Sequence, residues 1–116
     1  MSIPFNFALR RRIAGSNIIA WIKYFGTGQW GNGTSKTITK SLQIDKVIQF
    51  HFVNSAANAN MRYELYNGSV SASDRVLQLD GKCKDTTIVT PSQVTHIVVT
   101  NRSGSTLELA AYYRVF

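Results

Sequence analysis

The stretch KVIQFHFVN, Lys46 to Asn54, decides the fold class of this 116-residue chain. Its apolar residues Ile48, Phe50 and Phe52 alternate with polar residues, so that the apolar side chains fall on one face and the polar ones on the other. A period of two is that of a β-strand with one buried face. The stretch is therefore predicted to be a half-buried antiparallel strand.

The same alternation continues on both sides of this stretch. It is clear in MRYELY (61–66) and in STLELAAYYRVF (105–116), and weaker in TITKSLQI (37–44), where Lys40 interrupts the apolar face formed by Ile38, Leu42 and Ile44. The weaker segment is predicted to be an edge strand. Eight strands are predicted in all: NIIAWIKYF, TITKSLQI, KVIQFHFVN, MRYELY, RVLQLD, TTIVT, VTHIVVT and STLELAAYYRVF. The predicted core consists of Ile48, Phe50, Phe52, Tyr63, Leu65, Leu107, Leu109 and Tyr113.

Turn-forming residues separate the predicted strands. Segments such as QWGNGTS (29–35), YNGSVSAS (66–73) and NRSGS (101–105) supply the Gly, Asn and Ser that turns require. Short strands at this spacing are typical of sandwiches and barrels. The prediction is an all-β fold, a jelly-roll-like antiparallel β-sandwich of about eight strands. Residues 17–116 form the sandwich, and residues 1–16 form a basic N-terminal arm with a short helix predicted across 4–13.

The positive charge of the chain is unevenly distributed. The formal net charge is +7, and residues 1–44 hold six basic residues and no acid, whereas residues 45–116 hold seven basic and six acidic residues. Arg10, Arg11 and Arg12 cannot belong to a half-buried strand, since one of them would be buried as an uncompensated charge. They are predicted, together with Lys23, to contact a partner.

Three partners fit these basic residues. Phosphates gain from each arginine through counterion release, which would give a non-specific nucleic-acid contact. Acidic side chains of a neighbouring subunit are bound bidentately by arginine. A solvated patch without a partner is the third alternative. Three arginines are few for packaging nucleic acid, so the protein partner is favoured.

Several function classes lack their sequence signals. The single cysteine, Cys83, forms neither a disulfide framework nor a zinc motif, and no metal or cofactor is predicted. His51 and His96 stand in no catalytic motif and the acidic residues are scattered, so no catalytic residue is predicted and the chain is not expected to be an enzyme. The apolar run 18–22 is too short for a signal peptide or a membrane span, which would leave the protein in the cytoplasm unless it is part of a virion.

A carbohydrate-binding, lectin-like module is the alternative function. Such a module needs an exposed aromatic platform beside amide side chains, and Trp30, Tyr66 and Asn67 are the candidates. The competing interpretation is that Trp30 fills one end of the sandwich, where the neighbouring glycines leave space.

The chain resembles the small jelly-roll proteins of viral and phage shells, including vertex and decoration subunits. The resemblance rests on VIQFHFVNSAANANMRYELYNGS, on VTHIVVTNRSGSTLELAAYYRVF, and on RRR in the arm. It implies a non-enzymatic structural subunit, a minor capsid, vertex or decoration protein of a virion. The implied partners are further copies of the chain, joined through the arm and strand edges, and other shell proteins.

Overall fold

Eight strands make up most of the structure, a computed structural model that describes residues 19–53, 58–83 and 86–116. The predicted arm, residues 1–16, and its short helix lie outside these residues. A three-residue 3₁₀ helix, Ala72–Asp74, precedes the fifth strand. The strands are β1 (Ile22–Trp30), β2 (Ser35–Leu42), β3 (Val47–Val53), β4 (Asn60–Tyr66), β5 (Arg75–Lys82), β6 (Thr87–Val89), β7 (Val94–Asn101) and β8 (Leu107–Val115).

The strands form two four-stranded antiparallel sheets. Sheet A has the order β1-β8-β3-β6, and sheet B has the order β2-β7-β4-β5. Most consecutive strands lie in opposite sheets, and β1 and β8 are neighbours although they come from the two ends of the described chain. This is the strand order of a jelly roll. The predicted fold class is confirmed.

The core lies between the two sheets. All eight residues of the predicted core are buried, and the rings of Phe50 and Tyr63 meet across it with their centroids 4.7 Å apart. The alternation that predicted β3 and β4 holds, because each strand turns one face toward the opposite sheet. The core therefore fixes which side chains of sheet A and sheet B point outward.

Two boundaries differ from the prediction. The first strand runs from Ile22 to Trp30 and so extends five residues beyond the predicted NIIAWIKYF, which leaves only 31–34 for the turn. Ile44, predicted on the buried face, is 56% exposed, because β2 ends at Leu42 and the chain turns through Asp45 with a positive φ of 65°. Asp tolerates this conformation better than most residues do.

Strand β2 is an edge strand, as predicted. Its pairing with β7 shifts register between Thr39 and Leu42, where the extra residue forms a bulge. The bulge keeps both Ile38 and Leu42 buried while Lys40 stays in solvent. The charged residue that interrupts the apolar alternation is thus accommodated by an irregular backbone.

Candidate functional surfaces

The predicted glycan platform does not exist at Trp30. This side chain is fully buried, and its Nε1 donates a hydrogen bond to the Thr34 carbonyl at 2.8 Å. Its ring packs against Phe25 and Phe52, with centroids 5.4 and 6.3 Å away. The prediction that Trp30 presents a stacking surface is wrong, because the indole fills the space at one end of the sandwich, and the packing interpretation is confirmed.

Tyr66 and Asn67 lie at the other end of the molecule from Trp30. Tyr66 is buried and its hydroxyl lies 3.0 Å from the Glu64 Oε2, while Asn67 is exposed at the start of the next loop. Tyr66 pairs with His96, and Asn101, which contacts Trp30, lies five residues further along β7, roughly 17 Å away. The structure therefore does not bring the three predicted platform residues together.

Lys23 is the member of the predicted basic contact set that the structure describes, and Arg10, Arg11 and Arg12 lie outside the described residues. The Lys23 Nζ lies 5.5 Å from the ring centroid of Tyr112, which is its cross-strand partner on β8. Directly paired residues share one face of a sheet. Because Tyr113 on the same strand is buried, Lys23 and Tyr112 belong to the outer face of sheet A.

Six side chains form an ordered array on this outer face, which we call the aromatic face. One row runs across three strands from Lys23 to Tyr112 to His51. In the next row Arg114 pairs with Gln49, and Trp21, which immediately precedes β1, lies over Arg114. The aromatic face consists of Trp21, Lys23, Gln49, His51, Tyr112 and Arg114.

Ring contacts hold the array together. The rings of Trp21 and His51 have centroids 5.3 Å apart with an interplanar angle of 34°, and His51 and Tyr112 have centroids 6.1 Å apart at 40°. The three rings therefore form one chain of contacts, from Trp21 just before β1 to His51 on β3 and Tyr112 on β8. Trp21 keeps an exposed fraction of 36%, which leaves part of the indole accessible to a ligand.

Arg114 is the most constrained cation of the aromatic face. Its guanidinium carbon lies 4.0 Å from the Trp21 ring centroid and 5.1 Å from that of Phe116, and its Nε donates to the Gln49 Oε1 at 2.9 Å. Partial desolvation lowers the pKa of the guanidinium, though arginine remains charged at any physiological pH. No carboxylate within the described ranges forms an ion pair with it.

A cleft opens beside this arginine. It has a volume of about 150 Å³ and is lined by Trp21, Gln49, Phe50, Thr86, Thr87 and Arg114. Thr87 is the cross-strand partner of Gln49, so the cleft continues the row that begins at Trp21. An indole wall therefore lies beside an amide, two hydroxyls and a cation.

Sheet B carries a second charged cleft on its outer face. Arg62 is bonded to Asp80 through its Nε at 2.9 Å, and Arg102 and Asn60 complete a cleft of about 260 Å³. The Lys82 Nζ donates to the Asn60 Oδ1 at 2.6 Å. The ion pair with Asp80 neutralises the charge of Arg62, and none of the described residues that line the cleft is aromatic.

Strand β6 is a short sheet edge of three residues that has neither a register shift nor a charged residue in the part of the chain that the structure describes. The edge strands β1, β2 and β5 each contain a register shift, whereas β6 pairs regularly with β3 and has no charged residue. Val89 on β6 is 53% exposed, and Ile44, in the turn bonded to Thr90, is 56% exposed. Proteins usually blunt such edges with charges or bulges.

Neither histidine lies in a described group that resembles a catalytic site. His96 Nδ1 is 2.8 Å from the Thr95 hydroxyl, and His51 belongs to the aromatic face. Across residues 19–53, 58–83 and 86–116, no group of His, Cys, Asp and Glu is arranged to hold a metal ion. The same ranges contain no helix with the length and apolar composition that crossing a membrane requires.

Comparisons with known proteins find structures of similar fold and identify no family. No protein-family model matches the sequence, and no curated protein does. Among solved structures, the chain is similar to PliG of Aeromonas hydrophila, a periplasmic lysozyme inhibitor of g-type lysozyme, with a TM-score of 0.52 and 11% identity over 84% of this chain and 86% of that one. At this identity the likeness supports the fold alone.

Two further solved structures are similar at a lower score. A low affinity xylan binding module from Roseburia intestinalis has a TM-score of 0.44 and 14% identity, covering 83% of both chains. Bacillus endospore appendages, which form disulfide-linked pili, give a TM-score of 0.42 and 12% identity over 83% of this chain and 88% of that chain.

Proposed function

We propose that this protein is a non-enzymatic structural subunit of a viral or phage-like particle, which self-associates through a strand edge. The observation that carries the proposal is the β6 edge. It is short, uncharged and without a register shift, and it carries or adjoins the two most exposed large apolar side chains of the described residues: Val89 lies on β6, and Ile44 lies in the turn bonded to Thr90. A monomer would gain nothing from presenting these groups to water, and a second copy of the chain would cover them.

The jelly-roll order agrees with this role. The sandwich closes its core between two sheets but leaves four strand edges, of which β6 is the one without a bulge among the described strands. Main-chain groups on such an edge can pair with a strand of another copy. In a closed oligomer each copy would cover the edge of its neighbour.

The experiment is size-exclusion chromatography with light scattering on the full chain. We expect a molar mass that is a multiple of the chain mass, reduced to that of a monomer or a smaller species by Val89→Lys and by Ile44→Lys, because a lysine on an edge opposes strand pairing. Val70→Lys is the matched control, since Val70 is 50% exposed but lies in the loop before the 3₁₀ helix. A wild-type monomer, or equal loss in the control, would refute the proposal.

The predicted role of the three arginines stays a prediction within this proposal. If Arg10, Arg11 and Arg12 bind acidic side chains of a neighbour, replacing all three by alanine should weaken association while the melting temperature of the sandwich is unchanged. If they contact nucleic acid instead, the log-log salt slope of binding should flatten by roughly two to three units. An unchanged oligomer with unchanged nucleic-acid retention would leave only a solvated patch.

Carbohydrate binding, the alternative, loses the platform that the sequence suggested. Trp30 and Tyr66 are buried, and they lie at opposite ends of the sandwich. Any glycan would have to meet aromatic rings elsewhere.

A further inference from the structure

The aromatic face combines the chemical groups that a sugar ligand requires on the outside of sheet A, and of the six residues that line its cleft only Thr87 belongs to β6. Its rings come from three parts of the chain, because Trp21 precedes β1, His51 lies on β3 and Tyr112 lies on β8. Its polar side chains occupy paired positions on neighbouring strands. Packing alone does not require Trp21 to lie over the outside of the sheet, because the apolar core is on the other side.

Arg114, the cation beside the cleft of the aromatic face, is held in one position by its neighbours. The Arg114 guanidinium lies near the rings of Trp21 and Phe116 and donates one hydrogen bond from its Nε, which leaves both Nη groups without a hydrogen-bond partner in the described ranges. A guanidinium immobilised in this way loses little side-chain entropy when it binds an anion, and its two Nη groups match the two oxygens of a carboxylate.

Charge complementarity defines the sign of the ligand. The aromatic face contains the cations Lys23 and Arg114 and no acidic residue. The cleft beside Arg114 adds the Gln49 amide nitrogen and the Thr87 hydroxyl, which suit the hydroxyl groups of a sugar ring, whereas the Thr86 hydroxyl donates to the Lys82 carbonyl at 2.8 Å. Two cations are few for a nucleic-acid strand, which is usually followed by a longer basic groove.

We propose that the aromatic face binds an acidic saccharide, with a sugar ring against the exposed part of Trp21 and its carboxylate on Arg114. The Gln49 amide and the Thr87 hydroxyl contact the ring hydroxyls from the floor of the cleft. Lys23 and Tyr112 extend the surface along the next row, so that a second sugar unit meets an aromatic ring and a cation again.

Binding of a short oligogalacturonate to the full chain, measured by calorimetry, tests this proposal. We expect saturable binding that is weakened about tenfold or more by Arg114→Gln and by Trp21→Ala, since each removes a charged or stacking contact. Methyl-esterified oligogalacturonate, which lacks the charges, should bind at least about tenfold more weakly. The matched control is Arg102→Gln on sheet B, which should bind like the wild type.

Tryptophan fluorescence and melting temperatures distinguish a lost ligand contact from a variant that does not fold. The chain has two tryptophans, and Trp30 is fully buried, so a ligand on the aromatic face should change the fluorescence of Trp21 and protect it from iodide quenching. Arg114→Lys keeps the charge but loses the planar fork, and we expect it to bind nearly as poorly as Arg114→Gln. The melting temperature of each variant shows whether the sandwich is intact.

Several results would overturn the proposal. They are the absence of saturable binding, equal affinity for the esterified saccharide, equal loss in Arg102→Gln, and tighter binding of a short oligodeoxythymidylate at the same face. Self-association is measured separately through Val89→Lys, so failure of the saccharide site and failure of the assembly proposal give different patterns.

Discussion

Replacing Trp30 by alanine should destabilise the protein more than replacing Trp21, although the two changes are chemically identical. Trp30 is fully buried, contacts Phe25 and Phe52, and donates a hydrogen bond to the Thr34 carbonyl at 2.8 Å. Its own carbonyl accepts a hydrogen bond from the Asn101 Nδ2 at 2.8 Å. Truncation therefore removes apolar burial and opens a cavity beside two loops.

The magnitude follows from the buried area. An aromatic side chain of this size buries about 150–250 Å². At about 25 cal/mol per Å² this corresponds to roughly 4–6 kcal/mol, close to the 3–5 kcal/mol typical of Trp→Ala changes in cores. Trp30→Phe keeps most of the ring and loses the hydrogen bond, so we expect about 1–2 kcal/mol. Trp21→Ala removes a partly exposed ring over Arg114 and should cost about 1 kcal/mol.

Urea unfolding followed by circular dichroism measures these differences. Each kcal/mol should also lower the melting temperature by about 4 °C in a domain of this size. Fluorescence gives an independent check, since Trp21→Ala should leave a blue-shifted spectrum insensitive to iodide. A loss below about 1 kcal/mol for Trp30→Ala, or equal losses for both tryptophans, would contradict the packing that places Trp30 in the core.

Four further outcomes follow from the structure. The buried Tyr24 hydroxyl has no hydrogen-bond partner among the described residues, so Tyr24→Phe should raise the free energy of unfolding by about 1 kcal/mol in urea. Burial raises the pKa of the Tyr24 and Tyr63 phenols above their values in the unfolded chain. Their contribution to the free energy of unfolding is therefore present below about pH 10 and is lost as the pH rises above it, which urea midpoints across that range would show. Asn101→Ala removes hydrogen bonds to two backbone carbonyls and should cost at least about 1–3 kcal/mol by the same assay, whereas an unchanged midpoint would contradict this. Gly33→Ala should cost about 1–2 kcal/mol because its φ is +79°, while Gly26→Ala, in open space within β1, should be neutral in thermal melts.

The fold could be predicted from the sequence because its central strands obey a local rule. Ile48, Phe50 and Phe52 alternate without interruption, and β3 is paired on both sides, so that each residue has one unambiguous face. The spacing of turn residues between such strands predicts a sandwich or barrel, and the number of strands favours a jelly roll. Strand order was not predicted from the sequence, because the pairing of β1 with β8 or of β2 with β7 joins distant segments that carry no local signal of their partner.

Trp30 could not be placed by the same rule. It stands in GTGQWGNGT, where the neighbouring glycines suggest an exposed loop. The structure instead continues β1 through Gly26 and Gly28, where a Cβ on Gly28 would meet the Phe25 ring at 3.4 Å while Gly26 borders open space. A glycine-rich segment can indicate either a turn or a strand that other side chains approach closely, and local sequence does not distinguish the two.

The aromatic face could not be predicted from the sequence, and the first reason is the irregular pairing of β1. Register shifts between Lys23 and Phe25 and between Phe25 and Gly28 break the alternation, so that Tyr24 and Phe25, although consecutive, both pack against the core. Apolar residues occur at both parities of NIIAWIKYF, and periodicity therefore cannot say on which face Trp21 lies.

Strand pairing assembles the rest of the aromatic face from distant parts of the chain. Gln49 and Arg114 are 65 residues apart and become neighbours only because β3 pairs with β8 in one particular register. A shift of that register by one residue would turn Arg114 toward the core and Tyr113 toward solvent. The burial of Tyr113 opposes such a shift, so the packing of the core also fixes the position of the cation on the outer face. Core variants that loosen β8 should consequently weaken saccharide binding even though they do not touch the ligand.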